Sequence, residues 1–182
     1  MKIRKIEWLD KYPIAHRGYH NKENPENTLA AFQLALDNNY AIELDIQFTK
    51  DYQIVVFHDD NLKRLCGIDK KVCEFTYDEL KEFKINNTEH TIPLFIDVLN
   101  LVDGKTPIVV EMKSTKYGND ILPGKAYELL REYNGDYAVQ SFDPFLVKWY
   151  KDFQPHVYTT LSIILVSINH LKIAVSSSIT RN

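Results

Sequence analysis

Short apolar runs, each closed by turn residues, alternate along the chain with stretches whose apolar positions recur every third or fourth residue. That alternation is the signature of βα units feeding a parallel sheet. Strands are predicted at Tyr12–His16, Ala41–Phe48, Pro107–Met112, Tyr137–Ser141 and Val157–Val166. Between the first two, PENTLAAFQLALDNN reads as a helix. Asn27 or Thr28 can cap it, Leu29, Phe32, Leu36 and nearby alanines form its apolar stripe, and Asn38 with Asn39 closes it. TKDYQIVVFHDD turns directly into a short return strand, and PLFIDVLNLV, KAYELLREY and PFLVKWYKDF supply further crossover helices. From Asp60 to Ile92 the pattern loosens into polar sequence with one helix at TYDELKEF. Residues 60–92 are therefore expected to be an insertion in a single domain spanning 1–182.

The same alternation exposes candidate chemistry. The climb YPIAHRGYH ends in His16 and Arg17, groups costly to bury, at the point where a strand would reach a loop. A surface turn would also end that way, since Gly18 is ordinary turn chemistry. In AIELDIQF, strand parity puts Glu43, Asp45 and Gln47 on one side and Ile42, Leu44, Ile46 and Phe48 on the other. In IVVEMKS, Glu111 and Lys113 share a side with Val109. On an exposed strand such carboxylates are merely solvated. In a parallel sheet both faces are normally covered, and buried carboxylates on one face need a cation. In a barrel of alternating strands and helices, residues at the C-terminal strand ends meet at one mouth.

There Glu43, Asp45 and Glu111 would converge with Lys113, Arg17 and His16. An all-oxygen cluster suits Mg²⁺ or Ca²⁺ better than zinc, and Arg17 with Lys113 suits a phosphate. A lone histidine such as His58 in VVFHDD is more often structural than catalytic. Opposite His16 it becomes half of an acid–base pair, one imidazole removing a proton and the other delivering one. Asp59 either orients the His58 ring or caps the next turn; Glu26 and Asn27 either line the first loop or cap its helix, capping being favoured. Tyr52 carries no assigned role, and His20, His90, His156 and His170 read as surface or loop residues.

Composition narrows the partners. The chain has 182 residues, 45% apolar, with a formal net charge of −3, enough to bury a real core. No long basic run marks a nucleic-acid binder. Cys66 and Cys73 have no companions at zinc-ligand spacing and read as reduced thiols. The N-terminus lacks the apolar core of a secretory signal, and LSIILVSI is too short to span a bilayer, so a cytoplasmic protein without a transmembrane segment is expected.

Taken in order, HRG, PENTLAAF, ELDIQFTKD, VVFHDD, VEMK and QSFDP closely resemble the glycerophosphodiester phosphodiesterase family, over roughly Tyr12 to Pro155. The resemblance implies a TIM-type (β/α)8 barrel with a small insertion after the second strand. It implies metal-dependent hydrolysis of glycerophosphodiesters to glycerol 3-phosphate and an alcohol, the substrate's own glycerol hydroxyl attacking phosphorus to give a cyclic phosphate that water opens. His16 and His58 become the acid–base pair, Glu43, Asp45 and Glu111 the ligands of a divalent cation, and Arg17 and Lys113 the phosphate-binding groups. Two other readings stand beside it: a non-catalytic remnant or binding protein that keeps the motifs, and a related barrel enzyme acting on lysophospholipid head groups.

The end of the chain departs from this pattern. SINH is too short a crossover between VYTTLSIILV and LKIAV for parallel neighbours, which need about a dozen residues. Residues 157–182 therefore read as an atypical end, and the barrel is expected to be incomplete there, poorly stable, weakly active if at all, and open to self-association through an exposed sheet edge.

Overall fold

The structure is a computed structural model and describes residues 7–115 and 117–161. A short helix α1 (Glu7–Lys11) leads into strand β1 (Ile14–His16). Helix α2 (Leu29–Asp37) follows, then β2 (Ala41–Phe48) and β3 (Ile54–Val56). Two single-turn helices, α3 (Lys63–Cys66) and α4 (Tyr77–Leu80), flank a 3-10 turn at Val72–Glu74. The βα alternation then resumes with α5 (Phe95–Val102), β4 (Ile108–Met112), α6 (Leu122–Leu130), β5 (Tyr137–Ser141), α7 (Pro144–Phe153) and β6 (Tyr158–Leu161).

Five strands pair in parallel in the order β1-β2-β4-β5-β6, and β3 returns antiparallel on β2 as the sequence predicts. Every residue of β2 and β4 is buried, as expected of parallel strands covered on both faces. Parity divides those faces. Ile42, Leu44, Ile46, Ile108, Val110 and Val139 pack outward on Phe32, Phe95, Val98, Leu122, Leu146 and Tyr150 from the helices. Glu43, Asp45, Glu111 and Gln140 occupy the opposite, polar face.

Segment 60–92 builds a smaller apolar cluster in which Leu62, Leu65, Val72, Leu80, Ile85 and Ile92 pack against Val55 and Phe57. It holds three short helical turns where the sequence signals only one, because isolated turns of three or four residues leave no helical period to read. Cys66 and Cys73 are free thiols.

Helix α2 departs from its expected stripe. Its buried side is Ala31, Phe32 and Ala35, while Leu29 stands 40% exposed. The small alanines let the helix approach the β1 loop closely: a Cβ on Gly18 would lie 2.9 Å from backbone and side-chain carbons of Ala31. Gly18 also has φ +81°, so glycine is required there on two counts. The strand predicted over Val157–Val166 is seen as Tyr158–Leu161, one residue after Val157; residues 162–182, which hold the rest of the predicted strand and His170, lie outside the described residues.

Candidate active site

Register sets the site. β1 and β2 align His16 with Glu43, β2 and β4 align Asp45 with Glu111, and β4 and β5 align Glu111 with Gln140. Carboxylate oxygens of Glu43, Asp45 and Glu111 lie within 4.8 Å of one another, all three residues buried. Lys113, one residue past β4, places Nζ 2.7 Å from Glu111 Oε1 and 3.4 Å from Asp45 Oδ1. The Gln140 amide donates to Glu111 Oε2 at 3.0 Å.

Arg17, with φ +59°, turns the chain at the end of β1. Its backbone N–H donates to Glu43 Oε2 at 3.0 Å, its Nη1 to Glu26 Oε1 at 2.8 Å, and its Nε lies 3.5 Å from Asp45 Oδ2. The sequence-based cap assignment is settled in favour of Thr28, whose hydroxyl accepts from the Ala31 N–H. Asn27 and Glu26 line the site instead. The fully buried Asn27 donates to Asp45 Oδ2 at 2.9 Å, because φ +56° swings its side chain inward from the loop.

His58 follows β3 by two residues. Gln47, on the same side of β2 as the carboxylates, donates to the carbonyls of Phe57 and Asp59 at 2.8 and 2.9 Å, bracketing His58. The ring's Nδ1 lies 2.6 Å from Asp59 Oδ1. Burial disfavours charge on Asp59, but hydrogen bonds from Arg64 and then His58 outweigh it and hold its pKa at about 2. An ionised carboxylate only accepts, so this contact favours the neutral His58 tautomer with its proton on Nδ1 and a bare Nε2. A cavity of about 670 Å³ opens between His58 and Lys113 and is walled by Asp59, Asp60, Asn61, Lys63 and Arg64.

Electrostatics divide these groups. Burial, then the neighbouring Arg17 charge, lowers the pKa of His16 below 6.5 against the opposing pull of Asp45. Burial opposes charge on Lys113, yet Asp45 and Glu111 raise its pKa. Burial, then Asp45 and Glu111, pushes Glu43 well above the usual carboxylate range. Lys113 and Arg17 thus leave the carboxylates short of positive charge, and the hard oxygen donors fit a divalent cation.

The cluster has a testable cost in the metal-free protein. Glu43 takes up a proton on folding, so stability is fully present below its unfolded pKa near 4.5 and is lost as pH rises toward the folded value. Glu43→Gln keeps an acceptor for Arg17 N–H and removes the charge. It should raise the metal-free stability at neutral pH by about 1–3 kcal/mol, roughly 2–12 °C in Tm. Differential scanning calorimetry with chelator checks this; a lower Tm for the variant would show that the carboxylate charge is already compensated.

Sequence reasoning places Glu43, Asp45, Glu111, Arg17, Lys113, His16 and His58 in one site, and the structure brings them to one sheet end. Strand parity already sets Gln47 beside the carboxylates, and QSFDP includes Gln140, but the sequence assigns neither a role and does not single out Arg64; the hydrogen bonds of Gln47 to the Phe57 and Asp59 carbonyls and of Gln140 to Glu111 supply those roles. His20, read as a surface or loop residue, is a half-buried loop residue whose charge environment includes Glu26, Arg17 and Arg64.

The parallel βα order defines a fold of the TIM type, and the acidic cluster lies at the strand ends where such folds customarily hold their sites. The chain belongs to the Glycerophosphoryl diester phosphodiesterase family, whose profile matches residues 16–161. It is 35% identical over 147 residues to lysophospholipase D GDPD1 of Homo sapiens, covering 74% of this chain and 45% of that protein. It is 35% identical over 157 residues to a glycerophosphodiester phosphodiesterase of Caldanaerobacter subterraneus, covering 79% of this chain and 63% of that one. An Oleispira antarctica phosphodiesterase, solved with its product sn-glycerol-3-phosphate, shares the fold with a TM-score of 0.77 at 24% identity, covering 91% of this chain and 74% of that one. The chain thus spans about half the length of its human relative (45%). Among the described residues, no helix is long and apolar enough to cross a membrane.

Proposed function

We propose that this protein hydrolyses glycerophosphodiesters to glycerol 3-phosphate and an alcohol by metal-assisted histidine acid–base catalysis. The observation that carries the reading is the buried Glu43–Asp45–Glu111 cluster, with ligand oxygens within 4.8 Å, beside Arg17 and Lys113. Glu43, Asp45 and Glu111 would hold Mg²⁺ or Ca²⁺, which when bound neutralises charge developing on the phosphoryl oxygens.

Arg17 and Lys113 bind the phosphate and stabilise the same charge. His16, kept neutral by burial, takes the proton from the glycerol hydroxyl as its oxygen bonds to phosphorus. His58 delivers a proton from Nε2 to the alcohol oxygen as the P–O bond to it breaks, while Asp59 accepts from Nδ1 throughout. In the second step the histidines exchange roles: a water loses its proton, its oxygen attacks phosphorus, and the cyclic ester opens to glycerol 3-phosphate.

A second reading, hydrolysis of lysophospholipid head groups, rests on the 35% identity to a human protein named for lysophospholipase D activity. The two are separated by supplying glycerophosphocholine and lysophosphatidylcholine to the purified protein, with and without chelator. Metal-dependent release of glycerol 3-phosphate is expected from the first; choline release from the second alone would transfer the assignment to lysophospholipids.

A further inference from the structure

Arg64 lies in α3, outside the strands that carry the catalytic constellation, on a turn anchored by the buried Leu62 and Leu65. Its guanidinium spans two carboxylates. Nε and Nη2 donate to Asp59 at 2.7 and 3.0 Å; Nη1 and Nη2 donate to Glu26 at 2.9 and 2.7 Å. Each carboxylate passes the contact on. Asp59 accepts from the His58 ring at 2.6 Å, and Glu26 accepts from Arg17 at 2.8 Å.

We propose that Arg64 is a positioning residue that clamps Asp59 and Glu26 together, fixing the His58 ring in its Nδ1–H tautomer and steadying Arg17 over the phosphate position. The proposal deepens the phosphodiesterase reading and rests on it for its effect on turnover. Its structural content is independent: one planar fork ties residues 60–64 to both the first loop and the end of the return strand. Only arginine supplies this. Four directed N–H bonds in one plane hold both carboxylates at fixed angles, whereas a lysine ammonium is a point charge without that geometry. Freed from Arg64, the Asp59 carboxylate can rotate away from Nδ1, and neutral imidazole reverts to the Nε2–H form it favours in water. Nε2 then no longer offers the lone pair that the second step requires.

The test reads the His58 tautomer directly by long-range ¹H–¹⁵N NMR at a pH where the ring is neutral, together with kcat and KM on glycerophosphocholine. The samples are wild type, Arg64→Ala, Arg64→Lys and Asp59→Asn. Wild type is expected to be mainly Nδ1–H, and Arg64→Ala and Asp59→Asn mainly Nε2–H. Arg64→Ala should lower kcat about 10- to 100-fold through the His58 ring and raise KM to a smaller extent through the loosened Arg17. If Arg64→Ala does not fold, Arg64→Lys keeps the charge and carries the same expectation in smaller measure. An unchanged tautomer in a folded Arg64 variant, or Nε2–H already in the wild type, overturns the proposal. A tautomer shift with wild-type kcat also overturns it. A tautomer shift in a protein that never cleaves glycerophosphocholine leaves the clamp standing and sinks the phosphodiesterase reading instead.

Discussion

Asp45→Asn is expected to abolish tight divalent-cation binding and to cut glycerophosphodiester turnover at least about 1000-fold while the protein still unfolds cooperatively. Asp45 is 1% exposed and sits at the centre of the cluster: Asn27 Nδ2 lies 2.9 Å from one oxygen, and Lys113 Nζ 3.4 Å from the other. Asparagine fills the same volume but replaces one anionic oxygen with an N–H₂ group that repels a cation and meets the Asn27 or the Lys113 donor where an acceptor stood. A metal contributes several kcal/mol of transition-state stabilisation, which converts to three or more decades of rate. Glu111→Gln should behave alike, and chelation should mimic both. Isothermal titration with Mg²⁺ and with Ca²⁺ measures the first effect, and release of glycerol 3-phosphate the second. Full turnover by a demonstrably metal-free sample in excess chelator would remove the metal from the mechanism.

Much of that cluster is legible in the sequence because strand parity is a local property. Glu43 and Asp45 are two residues apart on one strand, and Glu111 and Lys113 repeat the spacing, so their convergence needs only the inference of a parallel sheet. The fold follows from the same alternation, down to the short return strand after Phe48. What stays dark is set by distance and by loop geometry. Arg64 meets Glu26 across 38 residues, from a segment without apolar period. Glu26 and Asn27 look like capping residues because their helix-start spacing is indistinguishable from that of Thr28 until backbone angles are known; φ +56° at Asn27 decides it. Tyr52 likewise occupies a turn with φ +58°, where its ring stacks on Tyr117 at 5.2 Å, a pairing no spacing announces.

The histidines carry the other large effect, and their roles separate by pH. His16→Ala and His58→Ala should each lower turnover by about 10²- to 10⁴-fold, the range typical of a positioned proton donor or acceptor. In the proposed mechanism His16 is the base, a role open to it only when neutral. Burial and the Arg17 charge hold its pKa below 6.5, so activity is retained through neutrality and falls as pH drops through that lowered value. The cation proposed beside it acts in the same direction, moving the acid limb further down. In His16→Ala that limb should vanish along with most of the rate, while imidazole added to the buffer restores part of the turnover without restoring the limb's position. Arg17→Ala serves as the contrast. Its guanidinium handles charge, not protons, so the loss should fall on phosphate affinity, read as weaker binding of glycerol 3-phosphate. The variant's acid limb should shift upward, because a positive charge that lowers the His16 pKa has gone. Rate measurements from pH 4 to 9 on the three variants, with metal held saturating, check all of this. A protein lacking both imidazoles that kept the wild-type profile would show that proton transfer runs through other groups.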